Sequence, residues 1–194
     1  MKLSENLIAL IKEGMEEALD AGNPDPSAMV LATASKTGKV SSRTLLLKGL
    51  DADGLRFFTN LNSRKGHDLL ENPQASMTFY WPEVARQIQV EGAVVQISAA
   101  QADQYFASRP RGSQIGAWAS LQSEPLRSRE LFEQRISQIT QKYSGQDIPR
   151  PPHWSGFVLQ AERLEFWHGR AYRLHERQVF IAGKSGWEEQ LLYP

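Results

Sequence analysis

The segment Arg173-Leu174-His175-Glu176-Arg177 is dense in groups that can bind or orient an anion. Read as a strand with period two, it sets Arg173, His175 and Arg177 on one face and Leu174 and Glu176 on the other. Three basic groups in one row repel each other, so the row makes physical sense with an anion or an electron-rich ligand lying across it. The alternative is a solvated edge strand whose charge deters aggregation.

Further groups could hold phosphate. Ser63-Arg64-Lys65-Gly66 opens a short helix with Ser63 as N-cap. Free backbone N–H groups there attract an anion, while two cations oppose the helix dipole, and a bound phosphate would offset that opposition. The alternative is a pair of solvated surface cations. Ser108-Arg109-Pro110-Arg111-Gly112-Ser113-Gln114, preceded by Tyr105, reads as a basic, hydroxyl-rich loop at a helix end. The proline between them should point Arg109 and Arg111 apart, so at most one contacts a ligand. Arg43 and Lys48 close the two ends of the apolar run Thr44-Leu45-Leu46-Leu47, with Lys48 on the face of Thr44 and Leu46. Gln87 and Gln89 share a strand face that could read a ring edge or simply face water. Gln122-Ser123 reads as an ordinary cap for the helix after it.

The four histidines show no metal-ligand spacing, and the chain has no Gly-x-Ser-x-Gly elbow, Walker loop or Gly-x-Gly-x-x-Gly turn. No metal is expected. Several phosphate-competent groups without an obvious nucleophile suit an enzyme whose cofactor carries the chemistry.

The elements that position these groups can be read from periodicity and breakers. Residues 3–19 have helical spacing and end at Asn23-Pro24. Strands are expected at 28–34, 42–50, 55–59, 75–81, 85–97, 157–167, 172–181 and 187–192. Helices are expected at 63–71, at 98–108 behind the capping box Ser98-x-x-Gln101, and at 125–143. Many short strands with close turns point to a mainly β, antiparallel barrel with peripheral helices. It would be a single domain over residues 1–194, with an N-terminal helix in 1–22 and a helical insertion at 98–143.

The chain has 194 residues, 22 Lys plus Arg against 22 Asp plus Glu, and no cysteine. Balanced charge argues against nucleic acid as a partner. No apolar run is long enough for a membrane span, and the acidic N-terminus is unlike a signal peptide. A cytoplasmic protein is expected.

Taken in order, these segments resemble the pyridoxamine 5′-phosphate oxidase family. The resemblance rests on Arg43–Lys48, Phe58-Thr59-Asn60, Ser63-Arg64-Lys65, Arg86-Gln87, Tyr105 with Ser108-Arg109-Pro110-Arg111-x-Ser113-Gln114, Gln122-Ser123, Glu165-Phe166-Trp167 and the Arg-Leu-His-Glu-Arg segment. It implies an FMN-binding split β-barrel acting as a homodimer with two flavins at the subunit interface. It implies FMN contacts at Arg43, Thr44, Leu45, Leu46, Leu47, Lys48, Phe58, Thr59, Arg64, Lys65, Gln87, Gln122, Ser123, Trp167 and Arg177. It implies substrate-phosphate contacts at Lys48, Tyr105, Arg109 and Ser113, and places Arg173 and His175 over the substrate ring as the catalytic pair. The implied reaction converts pyridoxamine or pyridoxine 5′-phosphate to pyridoxal 5′-phosphate, with molecular oxygen reduced to hydrogen peroxide.

Two departures stand out. The family's N-terminal lid segment, with an Arg and a Tyr, is expected to be missing, and Leu191 stands where an arginine is usual. Related flavoproteins of phenazine biosynthesis share the barrel but lack the Ser-Arg-Pro-Arg-x-Ser loop. The rival readings are an oxidase of such another substrate, and a flavin- or pyridoxal-phosphate-binding protein with little turnover.

Overall fold

The computed structural model describes all 194 residues. Helix α1 (Glu5–Asp20) starts at Ser4, whose Oγ accepts from the Leu7 N–H, and its apolar stripe buries Leu7 and Ile11 completely. Then come β1 (Ala28–Ala34), β2 (Val40–Leu46), β3 (Gly49–Asp51), β4 (Gly54–Asn60), α2 (Arg64–Glu71), β5 (Gln74–Trp81) and β6 (Arg86–Gln96). Helices α3 (Ala99–Ser108), α4 (Arg111–Ala119) and α5 (Arg129–Lys142) precede β7 (Trp154–His168), β8 (Glu176–Ala182) and β9 (Trp187–Leu192). No helix is long and apolar enough to cross a membrane.

All strand pairings are antiparallel, in the order β2-β1-β5-β6-β7-β4-β3. The path begins at β2 and ends at β3, which are consecutive in the chain, so the sheet curls back on itself. The join is at Leu47-Lys48: the Leu47 N–H still donates to Ser27 O beside β1, and the Lys48 N–H donates to Arg56 O on β4. The expected single strand 42–50 is therefore broken here, because the chain changes partners to close the barrel. Leu47 is turned into the core and Lys48 outward, so the two faces read from alternation survive the break.

Strand β7 is the spine. One edge pairs with β6 from Phe157 to His168, while the other pairs first with β4 (Trp154–Leu159) and then with β8 (Arg163–His168). A bulge at Glu91/Gly92 lets β6 follow this split. Gly92 is required there: a Cβ would lie 2.1 Å from Gln160 O. The main core packs α1 against Met77, Phe79 and Trp81 of β5 and Ile88 and Val90 of β6. A smaller cluster of Phe106, Ile115, Tyr143, Ile148 and Trp154 seats the helical insertion.

Three other expectations are corrected. The 108–114 loop shrinks to Arg109-Pro110, since α4 begins at Arg111: the Gln114 amide caps Phe106 O and Ala107 O, and Ile115 and Ala119 are buried. The last long helix begins at Arg129 instead of 125, with Ser128 as its cap and Gln122-Ser123 left outside. The strand expected at 172–181 begins only at Glu176, because its partner β7 ends at His168, opposite Glu176. The connecting residues form a tight turn in which Tyr172 and Arg173 have left-handed backbone, φ 57° and 61°.

Candidate functional site

The side chains identified from the sequence form three groups in this fold, of which the first two adjoin through Gln122 and the third lies apart. The first surrounds the start of α2. Ser63 caps the helix through the Gly66 N–H, 3.3 Å, and donates to Asn60 O, 2.6 Å. Gly66 is needed for this close approach, since a Cβ would lie 2.2 Å from Leu61 O. The Lys65 ammonium is buried and donates to Gln122 Oε1, 2.9 Å, and Ser63 Oγ, 3.1 Å. Ser123 Oγ accepts from the Arg64 N–H, 3.3 Å. Gln122 and Ser123 thus belong to this cluster and do not cap the helix after them.

Arg43 lies on β2 beside it, donating to Leu31 O, 3.1 Å, Thr33 Oγ1, 2.9 Å, and Ser41 Oγ. Asp68, which sequence reasoning missed, accepts from Thr33 Oγ1, 2.7 Å, and Ser41 Oγ, 3.2 Å. By taking both hydroxyl protons it leaves the hydroxyl lone pairs to the guanidinium. No sequence signal marks it, because an acid three residues after a lysine in a helix is ordinary. The cluster holds three cations, Arg43, Arg64 and Lys65, against one carboxylate. Burial, and then the charge of Arg43, lowers the Lys65 ammonium to about 8. An unpaired positive surplus at a capped helix start fits a phosphate monoester.

A pH dependence follows. Because the folded value of Lys65 lies below its unfolded value of about 10.4, the unfolded chain binds more protons across that interval. Stability of the ligand-free chain should rise between about pH 8 and 10 for this group. A bound phosphate favours the charged form, so affinity should fall as pH rises through about 8, by up to about tenfold per unit. Titrating the affinity for a phosphate monoester between about pH 6.5 and 9.5 measures this, as such a phosphate keeps its second charge above about pH 6. A profile that is flat, or unchanged in Lys65→Met, would remove Lys65 from the phosphate.

The second group lines two adjoining cavities of about 410 and 340 Å³. Lys48, Tyr105, Arg109 and Ser113 line the first, while Thr59 and Gln122 line the second. Phe58, Arg109, Ser113 and Trp154 border both. Phe58 stacks on Tyr105 at 3.8 Å between ring centroids and on Trp154 at 5.2 Å. Arg109 and Arg111 do point apart: Arg111 donates to Gln146 O, 2.9 Å, and Tyr143 O at the end of α5. The Arg109 guanidinium lies over the Trp154 ring, 4.8 Å from its centroid, and makes no hydrogen bond to protein. One of its terminal nitrogens and the Thr59 hydroxyl are buried without partners, which is where a ligand's oxygens would satisfy them. Burial lowers the Arg109 pKa, and burial raises that of the Tyr105 phenol.

The third group lies at the far end of β7. Gln87, Trp167 and Arg177 are in register across β6, β7 and β8. The His175 ring packs 4.6 Å from Trp167, and its Nδ1 accepts from the Arg170 N–H, 3.2 Å. Arg170 and Glu176 form a two-point ion pair, 2.9 and 2.7 Å, closing the base of the turn that exposes Arg173. Arg177 is not a free cation: Glu165, buried, accepts from its Nε at 2.6 Å and a terminal nitrogen at 3.1 Å. Burial pushes Glu165 up, but Arg177 and Arg163 outweigh it and hold the carboxyl below its ordinary value. The row of three repelling cations expected from alternation is therefore corrected: Arg173 leaves the strand and Arg177 is neutralised.

The second and third groups do not meet within one chain. Trp154 and Trp167 are thirteen steps apart on β7, roughly 40 Å at about 3.3 Å per residue if straight. Around the closed sheet, the shorter way from β2 to β7 runs through β3 and β4, three strand spacings or about 15 Å. Either separation exceeds the reach of an arginine side chain.

Known proteins resemble this chain along nearly its whole length. Residues 15–143 match the family described as pyridoxamine 5′-phosphate oxidase, and residues 154–194 match the pyridoxine 5′-phosphate oxidase C-terminal dimerisation region. The pyridoxine/pyridoxamine 5′-phosphate oxidase of Zymomonas mobilis is 52% identical over 185 residues, covering 95% of this chain and 96% of the relative. The protein of the same name from Rhodospirillum rubrum is 51% identical over 191 residues, covering 96% and 95%. Among solved structures, PhzG from Burkholderia lata, in complex with tetrahydrophenazine-1-carboxylic acid, superposes with a TM-score of 0.91 at 32% identity, covering 96% of this chain and 92% of that one. A pyridoxamine 5′-phosphate oxidase-related, FMN-binding protein from Nostoc punctiforme shares the fold, with a TM-score of 0.75 at 18% identity and full coverage of both chains.

Proposed function

This chain belongs to the pyridoxamine 5′-phosphate oxidase family, and from that premise we propose that it oxidises pyridoxamine or pyridoxine 5′-phosphate to pyridoxal 5′-phosphate with FMN, passing the electrons to oxygen as hydrogen peroxide. The observation that carries the substrate assignment is the Arg109 guanidinium, unpartnered at a cavity that also presents Lys48, Tyr105 and Ser113. That set supplies a forked cation, an ammonium and two hydroxyls, the complement of a phosphate dianion. The cluster of Arg43, Arg64, Lys65, Gln122 and Ser123 suits the single phosphate of FMN, with Phe58 and Thr59 between it and the substrate cavity.

Bound flavin supplies the two-electron acceptor for the substrate's 4′ carbon. The protein's part is to bind and orient. Lys48, Tyr105, Arg109 and Ser113 anchor the phosphate and so fix the pyridine ring. Arg173 and His175 cover that ring from a second subunit, since their own chain carries them tens of ångströms from its own cavity. With Nδ1 already accepting from Arg170, a neutral His175 carries its proton on Nε2. It therefore offers the substrate a donor, which orients the hydroxyl oxygen on the pyridine ring better than it removes a proton. Gln87, Trp167 and Arg177 would border the flavin from that same subunit. The C-terminal dimerisation match and the exposed Val30, Leu46 and Tyr80 on the outer sheet face support a homodimer.

The test uses the purified, flavin-loaded protein. Pyridoxamine 5′-phosphate with oxygen and water should give pyridoxal 5′-phosphate, ammonia and peroxide, and unphosphorylated pyridoxamine should be turned over at least about a hundredfold less efficiently, on the scale of charged hydrogen bonds. Equal use of both substrates, or turnover of tetrahydrophenazine-1-carboxylic acid in their place, would overturn the assignment.

A further inference from the structure

We propose that Trp154 is the positioning residue that sets this site's selectivity for a phosphate ester, by holding Arg109 through its ring face instead of through an acceptor that would occupy its N–H groups. This rests on the reading of the cavity given above. Four other arginines near the site are fixed by oxygen acceptors: Arg43 by two hydroxyls and a carbonyl, Arg111 by carbonyls, Arg150 by Asp103 and Arg177 by Glu165. Arg109 alone among these is held by rings, at 4.8 Å from the Trp154 centroid and 5.7 Å from that of Phe106. A carboxylate in the same place would occupy two N–H groups and neutralise the charge before substrate arrived. An indole face attracts the cation through its quadrupole and consumes no in-plane donor.

Trp154 is itself held firmly, as a positioning residue must be. It is 6% exposed, opens β7 opposite Asn60, and stacks on Phe58 with planes 10° apart. Phe106 meets it edge-on at 5.1 Å. Its carbonyl accepts from Arg150, 2.6 Å, which Asp103 of α3 fixes at 2.6 Å. An arginine has many rotamers to lose on binding, so a ring that restrains it beforehand tightens phosphate capture.

The experiment compares Trp154→Phe and Trp154→Leu, each with and without Arg109→Ala, at saturating FMN. The phenyl ring keeps the packing but presents a weaker face to the cation. We expect KM for pyridoxamine 5′-phosphate to rise about threefold in Trp154→Phe and about tenfold or more in Trp154→Leu, with a smaller change in kcat. Competitive inhibition by inorganic phosphate should weaken in parallel. On the Arg109→Ala background neither substitution should raise KM further, because the residue acts through Arg109. Equal losses for pyridoxamine and its phosphate, or full effects persisting without Arg109, would reduce Trp154 to packing and overturn the inference. An unaltered phosphate preference in Arg109→Ala alone would instead overturn the reading of the cavity on which it rests.

Discussion

Replacing Arg109 with alanine should raise KM for pyridoxamine 5′-phosphate by about a hundredfold or more, while flavin affinity moves far less. The guanidinium's N–H groups are unpaired within the protein, so the substitution breaks no internal hydrogen bond. What is lost is a forked, charge-assisted contact to the substrate, about 1.5–3 kcal/mol for each hydrogen bond to a charged group. Two such bonds give roughly 3–6 kcal/mol, or about 10²–10⁴ in kcat/KM at 1.4 kcal/mol per decade. Arg111→Ala, one proline away, is the informative companion. That side chain closes the end of α5 through Tyr143 O and Gln146 O. Its loss should therefore lower stability by about 1 kcal/mol and leave KM near that of the unsubstituted protein. Steady-state kinetics on both variants, with thermal melts, separates the two roles. Comparable KM values for the two alanine variants would refute the assignment of the phosphate to Arg109.

The contrast between these two arginines shows how far the sequence could be read. The proline between them predicts that they diverge, and they do, but which one faces the cavity depends on α4, which the Arg-Gly-Ser chemistry disguised as loop. Local signals read well because their physics is local: Ser63 and Ser98 as caps, and β1 and β9 at their observed limits. Features that depend on distant partners did not read. The break at Leu47-Lys48 exists because β4 captures the Lys48 N–H, and nothing in the run Arg43 to Lys48 announces that. The strand start at Glu176 is set by where β7 ends. Glu165 neutralises Arg177 only because two strands pair in one register, and Asp68 braces Arg43 only because α2 folds onto β1 and β2. Trp154 drew no attention in the sequence, since it lies between Pro-Pro-His and Ser-Gly, ahead of the strand expected from 157.

The separation of the site's two halves leads to the largest effect expected of any mixture of variants. Take one protein carrying Arg109→Ala and another carrying Arg173→Ala with His175→Ala. Each homodimer should be nearly inactive at low substrate, the first without its phosphate anchor and the second without the groups that cover the ring. Mixed, dissociated and reassociated in equal amounts, half of the dimers are heterodimers under a two-fold symmetric interface. In each heterodimer one site collects both sets of substitutions, and the other pairs an intact Arg109 with an intact Arg173 and His175. The mixture should then recover about a quarter of unsubstituted activity, half of the dimers each with one of two sites restored. If cavity and turn served one site within a chain, every site would keep one lesion and nothing would return. The geometry favours recovery: thirteen steps of β7 separate Trp154, against which Arg109 lies, from Trp167, against which His175 lies. Absence of recovery in a mixture shown by mass spectrometry to contain heterodimers would mean that the two ends of β7 do not serve one ligand.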